Sequence, residues 1–365
     1  MGMAEHTTQY ETERLAEQLL DAASASFELF SVYLGDRLGY YDALADAEPV
    51  TATELAAATG TDERYAREWL EHQAVAGVLR VADERASADD RRYALPEAHV
   101  PVLADADSLD AIAPLAQLTV GAVAPIHEVV DAYRTGAGVP FESYSPDLHE
   151  GQARMNRPSF LELLGTEWLP SLPDVHDRLL CDPPARVADV GCGFGWSCIG
   201  VAEQYPSVVV DGYDLDRESV VAARQNVADA GLADRVSVHH RDASDPEIEG
   251  DYDLVTAFEC VHDMADPVGA LTTMRRLAGE DGVVLVMDER VGDEFTADPG
   301  PVESLLYGFS VLHCLPVGRV DRPSAATGTV MRADTLGDYA ADAGFSTFEV
   351  LPIENFFWRF YRLEA

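Results

Sequence analysis

The residues best suited to chemistry lie in one run, Val187-Ala188-Asp189-Val190-Gly191-Cys192-Gly193-Phe194-Gly195-Trp196-Ser197. An apolar segment ends in an aspartate and enters a turn with glycines in the pattern G-x-G-x-G, followed by helical character from Ile199 to Gln204. Glycines serve where backbone turns sharply and a ligand lies against it, since no Cβ intervenes. The spacing is not the G-x-G-x-x-G of dinucleotide sites, where a pyrophosphate sits on a helix N-terminus. A carboxylate at Asp189 would repel a pyrophosphate and attract an ammonium. A second acid, Asp214, closes the apolar run Val208-Val209-Val210-Asp211-Gly212-Tyr213-Asp214. It stands 19 residues past Gly195, close to where Rossmann-type units carry the acid that binds a ribose diol. Asp216 competes for that role, or caps the following helix, which closes at Gly231.

An adenosine with a cationic tail and no phosphate matches this pattern, and S-adenosylmethionine (SAM) is such a molecule. Further signposts follow in order. They are Val236 to Ala243 with Asp242, Tyr252 to Glu259, Arg275-Arg276-Leu277-Ala278, and Gly282 to Asp288. With these elements in this order, residues 186 to about 290 resemble a class I SAM-dependent methyltransferase. The resemblance implies an α/β fold, a Rossmann-like seven-stranded sheet with its last strand antiparallel. It implies cofactor contacts from Asp189, Gly191, Cys192, Gly193, Gly195, Asp214, Leu215, Asp242, Ala243, Phe258 and Glu259, and no metal. Asp242 either contacts adenine or serves only its own turn.

Methyl transfer from a sulfonium is an in-line displacement in which positioning supplies roughly 7–11 kcal/mol of the barrier. A hydroxyl acceptor must also lose its proton, and a base adds about 10²–10⁴-fold. His262, in Phe258-Glu259-Cys260-Val261-His262-Asp263-Met264, stands just past the fourth strand. In the small-molecule O-methyltransferases that the chain resembles, a His-Asp pair carries the catalytic histidine. His262 and Asp263 match that pair, with Met264 where a tryptophan often follows. Asp288 and Glu289 orient or assist the base, or are surface and cap residues; His313 is a second candidate base. Transfer to carbon or nitrogen, where no such base is required, is the alternative reaction.

The elements that must position these groups come in three stretches: residues 1–104, a helical bridge over 105–180, and the methyltransferase-like region 181–365 with an insertion at about 292–333. Apolar residues at helical spacing (Leu15, Leu19, Ala23, Phe27, Phe30, Leu34, Leu38) predict a core or dimer helix. A capped helix from Val50 to Gly60, a second from Thr61, and two short strands around a polar loop predict a winged helix-turn-helix. The exposed positions of its second helix hold more acids than arginines, which opposes DNA phosphate contacts. In the O-methyltransferases this chain resembles, such a domain dimerises and closes the acceptor pocket. A SAM-responsive transcriptional regulator is the competing reading. The turn-rich segment 136–146 is either a lid or a plain connection. Phe345 to Leu351 and Phe357 to Leu363 predict the terminal hairpin.

Composition sets the remaining bounds. The 365 residues carry 65 acids against 25 basic residues, a formal net charge of −40, and every basic residue is arginine. Like charge on this scale hinders compaction, but at 1 M salt the Debye length is about 3 Å. The acids are spread along the chain, as expected for a protein working in molar salt. Such a surface argues against nucleic acid as a partner. Five cysteines without C-x-x-C or zinc spacing predict a reduced, cytoplasmic protein. No signal-like N-terminus and no membrane-length apolar run is present.

Overall fold

The computed structural model describes residues 2–365, with side chains from residue 8 onward. The chain divides into two compact units, residues 1–120 and 121–365, so the expected helical bridge is shared between them.

The first unit begins with one long helix, Gly2–Arg37. Its apolar stripe is not core: Leu19 is 63 % and Phe27 67 % exposed. The core of the unit starts at Tyr40, Tyr41 and Leu44 and gathers Leu55, Ala66, Trp69, Leu70 and Tyr93. Helix Ala52–Thr59 opens with a full capping box, Thr51 and Glu54 exchanging bonds, and ends at left-handed Gly60. Helix Glu63–Val75 is capped by Asp62. Strands β1 (Arg80–Val81) and β2 (Tyr93–Ala94) pair antiparallel as the wing. Both arginines of the second helix are committed to acids: Arg64 to Glu68, Arg67 to Glu63 and to Asp89 of the wing.

The second unit is built on a sheet of seven strands. In chain order they are β3 (Arg186–Val190), β4 (Val209–Asp214), β5 (Val236–His240), β6 (Leu254–Phe258), β7 (Val283–Glu289), β8 (Thr347–Val350) and β9 (Trp358–Glu364). Their spatial order is β5-β4-β3-β6-β7-β9-β8. The first five are parallel, and β9, the last in the chain, runs antiparallel between β7 and β8. Continuous apolar runs such as Val283 to Met287 form these strands because both faces are covered. Leu254, Leu285 and Met287 pack one face with Trp168 and Ile199, while Val255, Val284 and Val286 pack the other with Leu271, Met274 and Leu336. Among the described residues no single helix is long and apolar enough to cross a membrane. All five cysteines are free.

The strand order reverses between β3 and β6, and in open α/β sheets ligands bind at the carboxyl ends beside such a reversal. There the Gly191 turn and the Glu259–His262 segment emerge side by side. The insertion after β7 forms helix Pro301–Phe309, a π-helical turn Ser310–Cys314 and a short helix Leu315–Gly318. Segment 136–146 is docked on that insertion: Val139 N donates to Pro316 O at 3.0 Å and Tyr144 Oη to Leu312 O at 2.8 Å. Arg319 and Arg322 both donate to Gly136 O.

Candidate active site

The turn after β3 is left-handed at Gly191 (φ 70°), Gly193 (φ 49°) and Gly195 (φ 78°). A Cβ at Gly191 would stand 2.7 Å from Cys260 Sγ, whereas at Gly193 it would meet nothing within 4 Å. Space therefore opens in front of Gly193, as a ligand lying on the turn requires. Asp214 faces this space from the end of β4. Its Oδ2 accepts from Gly193 N at 2.8 Å and its Oδ1 from Asp216 N at 2.8 Å. Burial lifts its carboxyl to about 6 against those two bonds. Asp216 is the helix cap, accepting from Ser219 N at 2.7 Å. Leu215 is exposed beside it.

Asp189 lies differently from the expectation. It is 2 % exposed, its Oδ1 accepts from Thr256 Oγ1 at 2.6 Å, and its Oδ2 accepts from Ser197 Oγ and weakly from Cys198. Burial pushes its carboxyl up. The carboxylate is the internal brace that ties β3 to β6 and to helix Trp196–Gln204. Cys192 is buried behind the same turn. Asp242 is exposed, and its Oδ1 accepts from Ser244 N and Oγ, both at 2.8 Å. That oxygen serves its own turn, with Ala243 partly buried next to it.

β6 ends in buried Phe258 and in Glu259, whose φ of 52° is costly for a residue with a Cβ. The strain is held in place from several sides. Glu259 N donates to Met287 O at 2.8 Å, and Oε1 accepts from Trp358 Nε1 at 2.6 Å. Oε2 accepts from Asn156 Nδ2 and, at 3.4 Å, from Gln152 Nε2. Burial first of all raises this carboxyl to about 7. Glu259 was expected at the cofactor, but its oxygens instead tie β6 to β9 and to helix Pro146–Glu162.

One short turn further, His262 is 3 % exposed, and its Nδ1 donates to Asp288 Oδ1 at 2.8 Å. A carboxylate accepts only, so in the neutral ring this bond leaves the basic lone pair on Nε2. Burial opposes protonation of the imidazole, yet Asp288 and then Cys314 outweigh it and hold His262 well above its ordinary value. Cys314 is buried, 3.4 Å from His313 Nδ1. Burial alone would raise its thiol, but His313 and His262 together lower it to about 5. Asp263, adjacent to His262, is lifted to about 7 by burial. Glu289, at the tip of β7, is 9 % exposed and raised well above the usual range, by burial first and by Glu259 next.

The structure thus brings His262, Asp288, Glu289, Glu259 and His313 to one end of the sheet and places Asp263 beside them. It adds residues that carried no sequence signal. Asn156 and Gln152 lie one helical turn apart among many other polar residues of helix Pro146–Glu162, and Trp358 sits in a hairpin strand. His149, whose ring stacks on Phe141 with centroids 4.1 Å apart, is another, and Tyr144 packs edge-on against His313.

A Rossmann-like sheet in this strand order, with a glycine turn after β3 and an acid closing β4, is the class I methyltransferase architecture. Comparison with known proteins agrees. Residues 188–284 match the family described as methyltransferase domain, and residues 26–105 match the Rv2258c-like winged HTH domain. The chain therefore carries a methyltransferase domain over residues 188–284 and a winged HTH domain over residues 26–105. It is 32 % identical over 127 residues to ajmaline N-methyltransferase of Rauvolfia serpentina, covering 32 % of this chain and 43 % of that one. It is also 32 % identical over 104 residues to polyketide synthase ThaQ of Burkholderia thailandensis, covering 28 % of this chain and 5 % of that one. The chain thus spans less than half the length of these curated relatives. Among solved structures, mitomycin 7-O-methyltransferase MmcR matches with a TM-score of 0.68 at 20 % identity, over 98 % of this chain and 99 % of its own. Human N-acetylserotonin methyltransferase in complex with SAM matches at 0.68 and 17 %, over 96 % and 97 %. At such identity the likeness is one of fold.

Proposed function

We propose that this protein transfers the methyl group of SAM to an oxygen of a small organic acceptor, with His262 as general base. The observation that carries this reading is the buried His262–Asp288 hydrogen bond at the carboxyl end of β6 and β7, one strand beyond the glycine turn. SAM, when bound, supplies a methyl already activated on a sulfonium. The open space at Gly193 and the acid at Asp214 fit such a ligand, with Asp214 taking the ribose hydroxyls. Asp288 fixes the ring of His262 so that Nε2 takes the acceptor's proton. As the new O–C bond forms, the S–C bond breaks and its electron pair stays on sulfur. Glu259 holds its strained turn through Trp358 and Asn156, which keeps the end of β6 in place for that geometry. Methyl-labelled SAM incubated with a metabolite extract in molar salt tests the reading: a labelled O-methyl product supports it. Transfer to nitrogen is the second reading, favoured by the ajmaline N-methyltransferase relative.

The pH profile follows from His262. The base must be unprotonated, and Asp288 and Cys314 hold its proton more tightly than usual. The rate therefore rises with pH along a limb above the ordinary histidine range. In Asp288→Asn the main opposing charge is gone while burial remains, so the limb moves to lower pH as the maximal rate falls. A kcat–pH profile of both proteins checks this, and an unmoved limb contradicts it.

The acceptor is proposed to be a small molecule rather than a nucleic acid, since Arg64 and Arg67 already serve neighbouring acids. The exposed stripe of the first helix supports a homodimer through the N-terminal unit. Leu19→Glu with Phe27→Glu should convert the dimer to monomer, as read by light scattering after gel filtration in molar salt. A cytoplasmic location at molar salt fits the free cysteines and the charge of −40. The thermal midpoint should then fall steadily as salt is diluted from molar to about 0.1 M, where the Debye length reaches about 10 Å. Constant stability over that range would sink the salt-adaptation reading.

A further inference from the structure

We infer that the acceptor carries a protonated amine, which Glu289 and Asp288 hold beside His262; the inference rests on the methyl-transfer reading above. β7 delivers two consecutive carboxyls to one place. Asp288 is wholly buried; its Oδ1 accepts from His262 Nδ1 and from Glu289 N at 2.9 Å, while its buried Oδ2 has no partner. Glu289 Oε2 is likewise buried and without a partner. Donor atoms of His262, Asp288 and Glu289 all lie within 4.8 Å of one another. The charged groups facing Glu289 are Glu259, Asp288 and Cys314 on the negative side and His262 on the positive. A buried carboxylate oxygen left unpaired is costly, and an ammonium offers three N–H donors to a place that lacks them.

Two other cations compete for the place. SAM brings cations of its own, but the glycine turn and Asp214 follow β3 and β4, whereas the two carboxyls end β7, on the far side of β6 from that turn. A divalent metal ion is the second competitor, since His262, Asp288 and Glu289 each bring a ligand atom within 4.8 Å of the others, and the chelator arm of the test below separates it from an amine. An amine leaves the His262–Asp288 bond intact and uses only the two unpaired oxygens. The hydroxyl to be methylated then faces Nε2 of His262, and the ammonium acts as a handle that sets its position.

The test divides a metabolite extract by ion exchange into cationic, neutral and anionic pools. Each is incubated with the full chain and methyl-labelled SAM in molar salt, with and without a chelator. Labelled product is expected from the cationic pool, unaffected by the chelator. Glu289→Gln should lower its rate at least about tenfold with SAM affinity unchanged, and Glu289→Asp, which keeps the charge, should restore part of it. Product only from the neutral or anionic pools overturns the inference, as does a Glu289→Gln variant working at the wild-type rate. A rate abolished by the chelator and restored by magnesium, manganese or zinc also overturns it and gives the carboxyls to a metal. Should Glu289→Gln fail to fold, the three pools with the wild-type protein decide alone. Absence of product from every pool, with SAM bound, overturns the methyl-transfer reading and the inference with it.

Discussion

His262→Ala should lower the rate of methyl transfer by about 10²–10⁴-fold, the range lost with a general base, while SAM affinity stays within about threefold of wild type. The ring is anchored by Asp288 at 2.8 Å beyond the end of β6, so its loss removes the proposed proton acceptor and leaves the glycine turn after β3 in place. A second effect accompanies the first. Asp288 Oδ2 already has no partner, and the variant strips Oδ1 of its imidazole, so the protein becomes less stable as well. The two effects separate experimentally, because single-turnover rates at saturating SAM read the chemistry and thermal melting reads the fold. Full activity in a folded variant would remove His262 from the mechanism and favour transfer to nitrogen without a base.

The second large effect concerns the donor. Asp214→Ala should weaken SAM binding by at least about 100-fold, since hydrogen bonds to a charged group contribute about 1.5–3 kcal/mol each and a ribose diol offers two. The variant also frees Gly193 N, which Asp214 Oδ2 now accepts at 2.8 Å, so the glycine turn loses its tether. A pH signature goes with it. Burial holds the Asp214 carboxyl at about 6, above the ordinary aspartate range. The ionised form is the better acceptor, so SAM affinity in the wild type declines as pH falls through about 6 and is full above it. In Asp214→Ala that decline disappears, which isothermal titration at several pH values would show.

The glycine turn and the acid at the end of β4 were legible because their signals are local. A buried strand, a turn with three left-handed glycines, and an acid at the next strand end all lie between Val187 and Asp214. The parallel strands read as apolar runs, and the capping box at Thr51 with Gly60 marked its helix from both ends. The roles of the carboxylates were less legible, because a carboxylate's role depends on its partners. Asp189 suggested an ammonium partner, yet Thr256, 67 residues away, takes one oxygen and Ser197 the other. Glu259 suggested a cofactor contact, yet Asn156 and Trp358, about a hundred residues to either side, occupy it. Their spacing carries no periodicity that a sequence could show. Cys314 stood in the sequence beside His313 in the insertion, but only the fold sets its thiol against His262 as well, and the two histidines lower it to about 5. The long N-terminal stripe was read correctly as apolar and helical, but a stripe alone does not tell core from interface, and here it faces outward.

The most direct measurement is equilibrium binding of SAM and of NAD to the purified protein in molar salt, by isothermal titration. The turn at Gly191–Gly195 with Asp214 predicts one SAM per chain, bound at least about 100-fold more tightly than NAD. Binding of NAD at equal or greater affinity, or no SAM binding by a folded protein, would contradict the assignment of this site to a methyl donor.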